Sequence, residues 1–298
     1  MAIEDFLKPL SEPISKLIDA VRDACGAIYE PTGIRRKARA EGDALLIRAD
    51  AEARAALVRQ HGEHAVQELE LRASHRINVQ ELRRQQNIEA IVTGAARYLP
   101  PSVSKEPVDE DWIYQFFNHC QDIGDAEMQS LWARLLAGEI AQPGRFSIRT
   151  LSLVRTLHKS DVQLFTQFCG YIWDDSYMTV HLHTEATDSL LKAKGIPYIA
   201  FLHLQSLGLL ELGTGLGVTI DEKRPKQIAY YGKLHTFSPV GGGKRRLAAY
   251  TLTDIGCELA PIAGAHPDQE YLDCLISSLN AIGIAVHCPV SFEQSMAE

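Results

Sequence analysis

His181 and His183 stand two residues apart in the alternating run Tyr177-Met-Thr-Val-His-Leu-His183. On a strand that spacing turns both rings to one face. Two imidazoles are half of a tetrahedral zinc site, which needs further ligands. The next histidine, His203, belongs to a different element, and nothing in the pattern brings it to the pair. A structural histidine pair is therefore the favoured reading, and no metal is expected.

Two glycine clusters could suggest phosphate binding. Gly213-Thr-Gly215-Leu-Gly217 runs into Val218-Thr-Ile220, which reads as strand. A phosphate loop works by aiming backbone N–H groups from a helix N-terminus, and that helix is missing. Gly241-Gly-Gly243-Lys244 places Arg245 where a Ser or Thr would hold magnesium. It reads as a flexible hairpin tip. No Ser or Cys has a nucleophile motif around it. The favoured reading is non-enzymatic, with no catalytic residue and no cofactor; the alternative is an enzyme whose pocket carries no sequence motif.

Two basic clusters remain. Lys244, Arg245 and Arg246 follow the glycine run, with Arg224, Lys226 and Lys233 nearby. On a wing they could touch phosphates or a minor groove. The helix expected over 197–206 carries no Arg or Lys, whereas base readout normally uses such polar side chains. Protein docking is thus favoured over DNA reading. Arg35, Arg36, Lys37 and Arg39 sit at a helix start, where the macrodipole disfavours positive charge. They call for an anionic neighbour: a carboxylate, a phosphate or anionic lipid headgroups.

The element carrying that second cluster organises the chain. Residues 31–99 contain only one proline, at their first position, and are dominated by Ala, Arg, Glu, Leu and Gln. These are strong helix formers. A single helix of that length would span roughly 100 Å at 1.5 Å per residue, too long to bury itself in one domain. Val66, Ile77, Ile88 and Leu99 keep an eleven-residue interval, as do Ile47, Val58 and Leu69. That period favours a nearly straight or slightly right-handed supercoil. Val58, Val66, Leu69, Ile77 and Ile88 are the expected self-association residues, making the protein a homo-oligomer. Gly42, Gly62 and Gly94 are expected bends.

Residues 1–30 form an amphipathic segment, firm from about Ser11 or Pro13. Its charges are balanced, so docking on protein is favoured over peripheral membrane contact. Residues 108–173 read as a bundle of four short helices, opened by Asp109, Asp125, Ser147 and Ser160. Residues 174–288 read as a winged-helix-like domain. Strands are expected over 177–183, 209–212, 227–234, 247–252 and 284–287. Helices are expected over 187–194, 197–206, 253–259 and 268–281. The fold class is mainly α: a long N-terminal helix, a small helical bundle and a C-terminal α+β winged-helix-like domain.

The net charge of −8 argues against a general nucleic-acid coat protein. Six cysteines without a Cys-x-x-Cys pair fit buried free thiols in a reducing compartment. No apolar run approaches membrane-spanning length and no secretory signal is evident, so a cytoplasmic location is expected.

Two resemblances add to this reading. Tyr29-Glu30-Pro31-Thr32 and Ile34-Arg35-Arg36-Lys37-Ala38, followed by the Ala/Glu-rich helix, resemble the start of an uncharacterised bacterial family. The likeness continues through Asp109-Glu110-Asp111-Trp112, Met128 to Glu139, Pro143-Gly144 and Ser160-Asp161. It implies no catalytic residues. Residues 125–165 also resemble the helical core of the abortive-infection alpha proteins, which implies a role in bacterial defence against phage. The expectation is a self-associating defence component that docks a protein partner through its C-terminal domain. The alternative is a winged-helix DNA-binding regulator that dimerises through the long helix.

Overall fold

The computed structural model describes residues 11–25, 64–175, 178–213 and 217–287. The chain divides into two compact units, residues 1–155 and 156–298. The fold is mixed α/β. The first unit is helical, and the second carries an eight-stranded antiparallel sheet.

In the first unit, α1 (Glu12–Cys25) and α2 (His64–Tyr98) precede α3 (Glu110–Cys120), α4 (Ala126–Ala141) and α5 (Ile148–Thr156). Carboxylates start the middle helices, as a helix dipole favours. Asp109 accepts from the Trp112 amide at 2.8 Å, and Asp125 accepts from the amides of Glu127 and Met128. The core gathers Leu17 and Val21 of α1, Ile91 and Ala95 of α2, Trp112 and Phe116 of α3, and Trp132, Leu135 and Leu136 of α4. Phe116 stacks on Trp112 and meets Trp132 edge-on, each at 5.3 Å.

Helix α2 continues through Gly94 without a break. A Cβ there would stand 3.0 Å from the Cβ of Ala133. The glycine lets α2 and α4 approach closely. Residues 31–63 of the expected long helix, with Gly42 and Gly62, lie outside the described residues.

The second unit opens with α6 (Lys159–Cys169), so the helix that the sequence grouped with the bundle packs with the sheet instead. Its N-cap is His158 rather than Ser160, and the His158 amide donates to Asp161 at 2.8 Å. There follow β1 (Ile172–Asp175), β2 (Met178–Leu182), α7 (Glu185–Ala193), α8 (Tyr198–Ser206), β3 (Leu210–Glu211), β4 (Gly217–Asp221), β5 (Lys226–Tyr230), β6 (Lys233–Pro239), β7 (Lys244–Leu252), α9 (Asp254–Leu259), α10 (Gln269–Ala281) and β8 (Ile284–His287). The sheet order is β3-β7-β2-β1-β5-β6-β8, with β4 also on β7.

Mainly α is therefore corrected to mixed α/β: the described residues hold eight strands where the pattern suggested six. The segment 227–234 is not one strand. It spans the β5–β6 hairpin, turned by Tyr231 at φ 47° and Gly232 at φ 76°. Two residues at positive φ give the turn whose twist suits a tight hairpin. The sheet packs around Trp173, whose ring lies 4.7 Å from Tyr230 and 5.6 Å from Phe237. Its indole N–H donates to the Tyr271 hydroxyl at 3.2 Å.

Candidate functional site

The three histidines do not form a metal centre. His181 is fully buried, and its Nδ1 is 3.0 Å from the Tyr171 carbonyl, so that nitrogen carries the proton. Its Nε2 has no hydrogen-bond partner. Burial pushes the ring down to about 4, so it is neutral near pH 7. His183 lies just past β2. It stacks on Tyr250 at 4.2 Å and reaches Asp188 at 3.4 Å. His203 is tied elsewhere: its Nε2 donates to Asp161 at 2.8 Å, bracing α8 on α6. Burial raises the Asp161 pKa, but the bonds from His203 and the His158 amide outweigh it and hold the carboxyl below its usual range. Among the described residues no cluster of three His, Cys, Asp or Glu side chains is placed to hold a metal.

Of the first glycine run, residues 214–216 lie outside the described residues. Gly217 opens β4, close against the Leu247 carbonyl of β7. Gly241, Gly242 and Gly243 all have positive φ, a conformation glycine adopts without penalty. They link β6 to β7, which do not pair, so this is not the expected hairpin tip. Lys244, Arg245 and Arg246 lie within β7 itself, opposite Asp221, Ile220 and Thr219 of β4. All three are exposed, and Lys244 is 3.4 Å from Asp221.

A small cavity of about 230 Å³ in the second unit is lined by Cys169, Cys257, Tyr231 and Asp174, among others. Burial raises the Cys169 thiol far above its ordinary range and keeps it protonated. A protonated thiol is a poor nucleophile.

Two exposed apolar surfaces stand out. On α8, Tyr198, Ile199 and Leu202 face solvent at 57%, 67% and 38% exposure, while Phe201 and Leu204 are buried. The helix has no Lys or Arg. On α2, Leu69 is 61% and Ile77 52% exposed, and Leu71 and Val79 are exposed too. From Arg84 onward the helix is held. Asn87 donates to the Gln121 carbonyl at 2.8 Å, and Arg84 clasps Asp122 through two nitrogens.

Of the expected self-association residues, Leu69 and Ile77 are therefore on open surface, and Ile88 is half-buried. Val58 and the side chain of Val66 lie outside the described residues, as do Arg35, Arg36, Lys37 and Arg39. The sequence missed the α8 face, because an apolar helix reads as core. It missed the Asp161–His203 pair because that contact joins residues far apart in the chain.

Among the described residues no helix is long and apolar enough to cross a membrane. No curated protein and no solved structure matches the chain. The match to one family takes in Asp109–Trp112, Met128–Glu139 and Pro143–Gly144 but not residues 29–38. That family is described as "Protein of unknown function (DUF2806)", its model spans residues 71–276, and the chain belongs to it.

Proposed function

We propose that the protein is a self-associating, non-enzymatic docking protein. The observation carrying this reading is the exposed face of α2. Residues 68–81 are all exposed except half-buried Ala73. Helices without tertiary support are marginal in water, and most helical stability comes from covering an apolar face. A second copy is the simplest cover. Light scattering on the full-length chain should return at least twice the chain mass. Replacing Leu69 and Ile77 together by Glu should return a single chain. A parent protein that is monomeric at micromolar concentration overturns the reading.

We read the second unit as winged-helix-like. Helix α6, strand β2, helices α7 and α8, strand β3 and strand β7 occur in that order, with β1 before β2 and β4 to β6 before β7, and the three strands are neighbours as β3-β7-β2. Strand β4 with the start of β7 takes the place of the wing. In such an arrangement α8 is the presented helix. Its exposed Tyr198, Ile199 and Leu202 suit a protein partner, since aromatic and aliphatic anchors dominate protein interfaces.

Duplex binding through Lys244, Arg245 and Arg246 is the second reading, favoured by their exposure on one ribbon. Salt-dependent duplex binding that drops on replacing all three by Ala supports it. Absence of duplex binding by the parent protein removes it. The resemblance to the abortive-infection alpha proteins supports a setting in bacterial phage defence. Comparing phage plaque counts on cells with and without the protein tests that setting.

A further inference from the structure

We propose that a second copy of the chain lies against α2 in parallel and in register, with Leu69, Ala73 and Ile77 on the seam. This rests on the self-association reading and adds its geometry. Leu69, Ala73 and Ile77 are spaced by four, which keeps them on one side of a helix. Eleven residues beyond Ile77, the same side reaches Ile88, and then the buried Ile91 and Ala95. The apolar side of α2 therefore comes in two patches, Leu69 to Ile77 and Ile88 to Ala95, separated by Gln80 and Arg84. Its C-terminal part is covered within the first unit, and its N-terminal part is open.

The charges beside the seam select the orientation. Glu70 follows Leu69, and Glu81, eleven residues on, lies on the same flank. Arg72 and Arg76 precede Ala73 and Ile77 and lie on the other, with Arg83 eleven residues beyond Arg72. Two of the helix's glutamates are already paired within it, Glu68 with Arg72 at 3.5 Å and Glu81 with Arg84 at 2.8 Å, so Glu70 and Arg76 carry most of the choice of orientation.

A homodimer has two-fold symmetry. When the helices are parallel, that axis runs along them, and each glutamate flank faces the partner's arginine flank. When they are antiparallel, the axis crosses them, so glutamate faces glutamate and arginine faces arginine. Flanking ion pairs of this kind set partner orientation in paired helices. The parallel pairing matches opposite charges on both flanks, and the eleven-residue period keeps them matched without strong supercoiling.

Crosslinking tests the geometry on full-length protein. Leu69→Cys and Ile77→Cys are made separately, one carrying a size tag, and oxidised mildly alone and mixed. The parent chain on the same non-reducing gel sets the baseline from the native cysteines. The expected result is a self-linked dimer from each variant alone and no excess of the Leu69→Cys–Ile77→Cys hybrid over random exchange. Ala73→Cys should self-link in either orientation and reports whether this face is the seam. A preferred hybrid with no self-linking overturns the parallel arrangement. A dimer by light scattering in which none of the three links keeps self-association but rejects this face. A monomer by light scattering rejects both.

Discussion

The Glu139 carboxylate, wholly buried at the end of α4, accepts the backbone amides of Gly144 at 2.6 Å and Phe146 at 3.0 Å. One side chain thus fixes the turn that leads from α4 to α5. The Phe146 ring returns to lie against Gly138, the residue before the glutamate. The Gly138-Glu139 pair and the Pro143-Gly144 turn are one structural device: the glycine makes room for a ring whose backbone the glutamate holds.

Replacing Glu139 by Ala should lower stability by about 3 kcal/mol or more. Both amides lose a charged acceptor in a buried site, and such bonds are worth about 1.5–3 kcal/mol each. Glu139→Gln keeps one acceptor oxygen and should lose roughly half as much. Urea midpoints of the three proteins check this, and equal midpoints for Glu139→Ala and the parent refute it.

Gly138→Ala should also destabilise, although alanine is the better helix former. Its Cβ would lie 2.7 Å from the Phe146 ring edge, and that ring is only 2% exposed. Overpacking a filled core costs about 1–3 kcal/mol, against a helix gain of at most about 1 kcal/mol. A combined Gly138→Ala, Phe146→Leu protein should recover part of the loss, because the shorter side chain vacates the contact.

His181 predicts a pH dependence. Burial holds its ring at about 4 in the fold, with the Tyr171 bond and Asp188 opposing and His183 reinforcing that drop. The unfolded ring takes its proton near 6.5. Because the folded value is the lower, the stability is fully present above about pH 6.5 and is lost as pH falls toward 4. The difference corresponds to roughly 3 kcal/mol across that window. Urea midpoints between pH 7 and 4.5 should fall for the parent and fall less steeply for His181→Gln. Parallel curves would show that another group carries the slope.

The helices were legible because local chemistry announces them. Asp109, Asp125 and Thr253 cap where an acceptor before an apolar run should. The sheet was less legible. Tyr231, an aromatic residue at positive φ, hides the β5–β6 turn inside what reads as one strand. Strand β1 follows α6 directly, and its Trp173 continues the apolar pattern of the helix. Glu139 was invisible as a core residue, since a glutamate in an amphipathic helix ordinarily faces water. The open part of the apolar side of α2 was readable from its eleven-residue period, but the point where other helices begin to cover it was not. That point depends on contacts such as Asn87 with Gln121, which join distant parts of the chain.

The surface of α8 supplies the remaining prediction, because one short helix carries both kinds of apolar residue. Phe201 is 3% exposed and meets Phe168 at 5.6 Å, so Phe201→Ala should cost about 3–5 kcal/mol. Tyr198, Ile199 and Leu202 face outward, and each replaced by Ser should stay within about 0.5 kcal/mol of the parent. A triple Ser variant with an unchanged urea midpoint and reduced binding of an apolar fluorescent probe marks this face as surface kept apolar for contact rather than for folding. A triple variant that unfolds as readily as Phe201→Ala places these side chains in the folding core and withdraws α8 as a docking face.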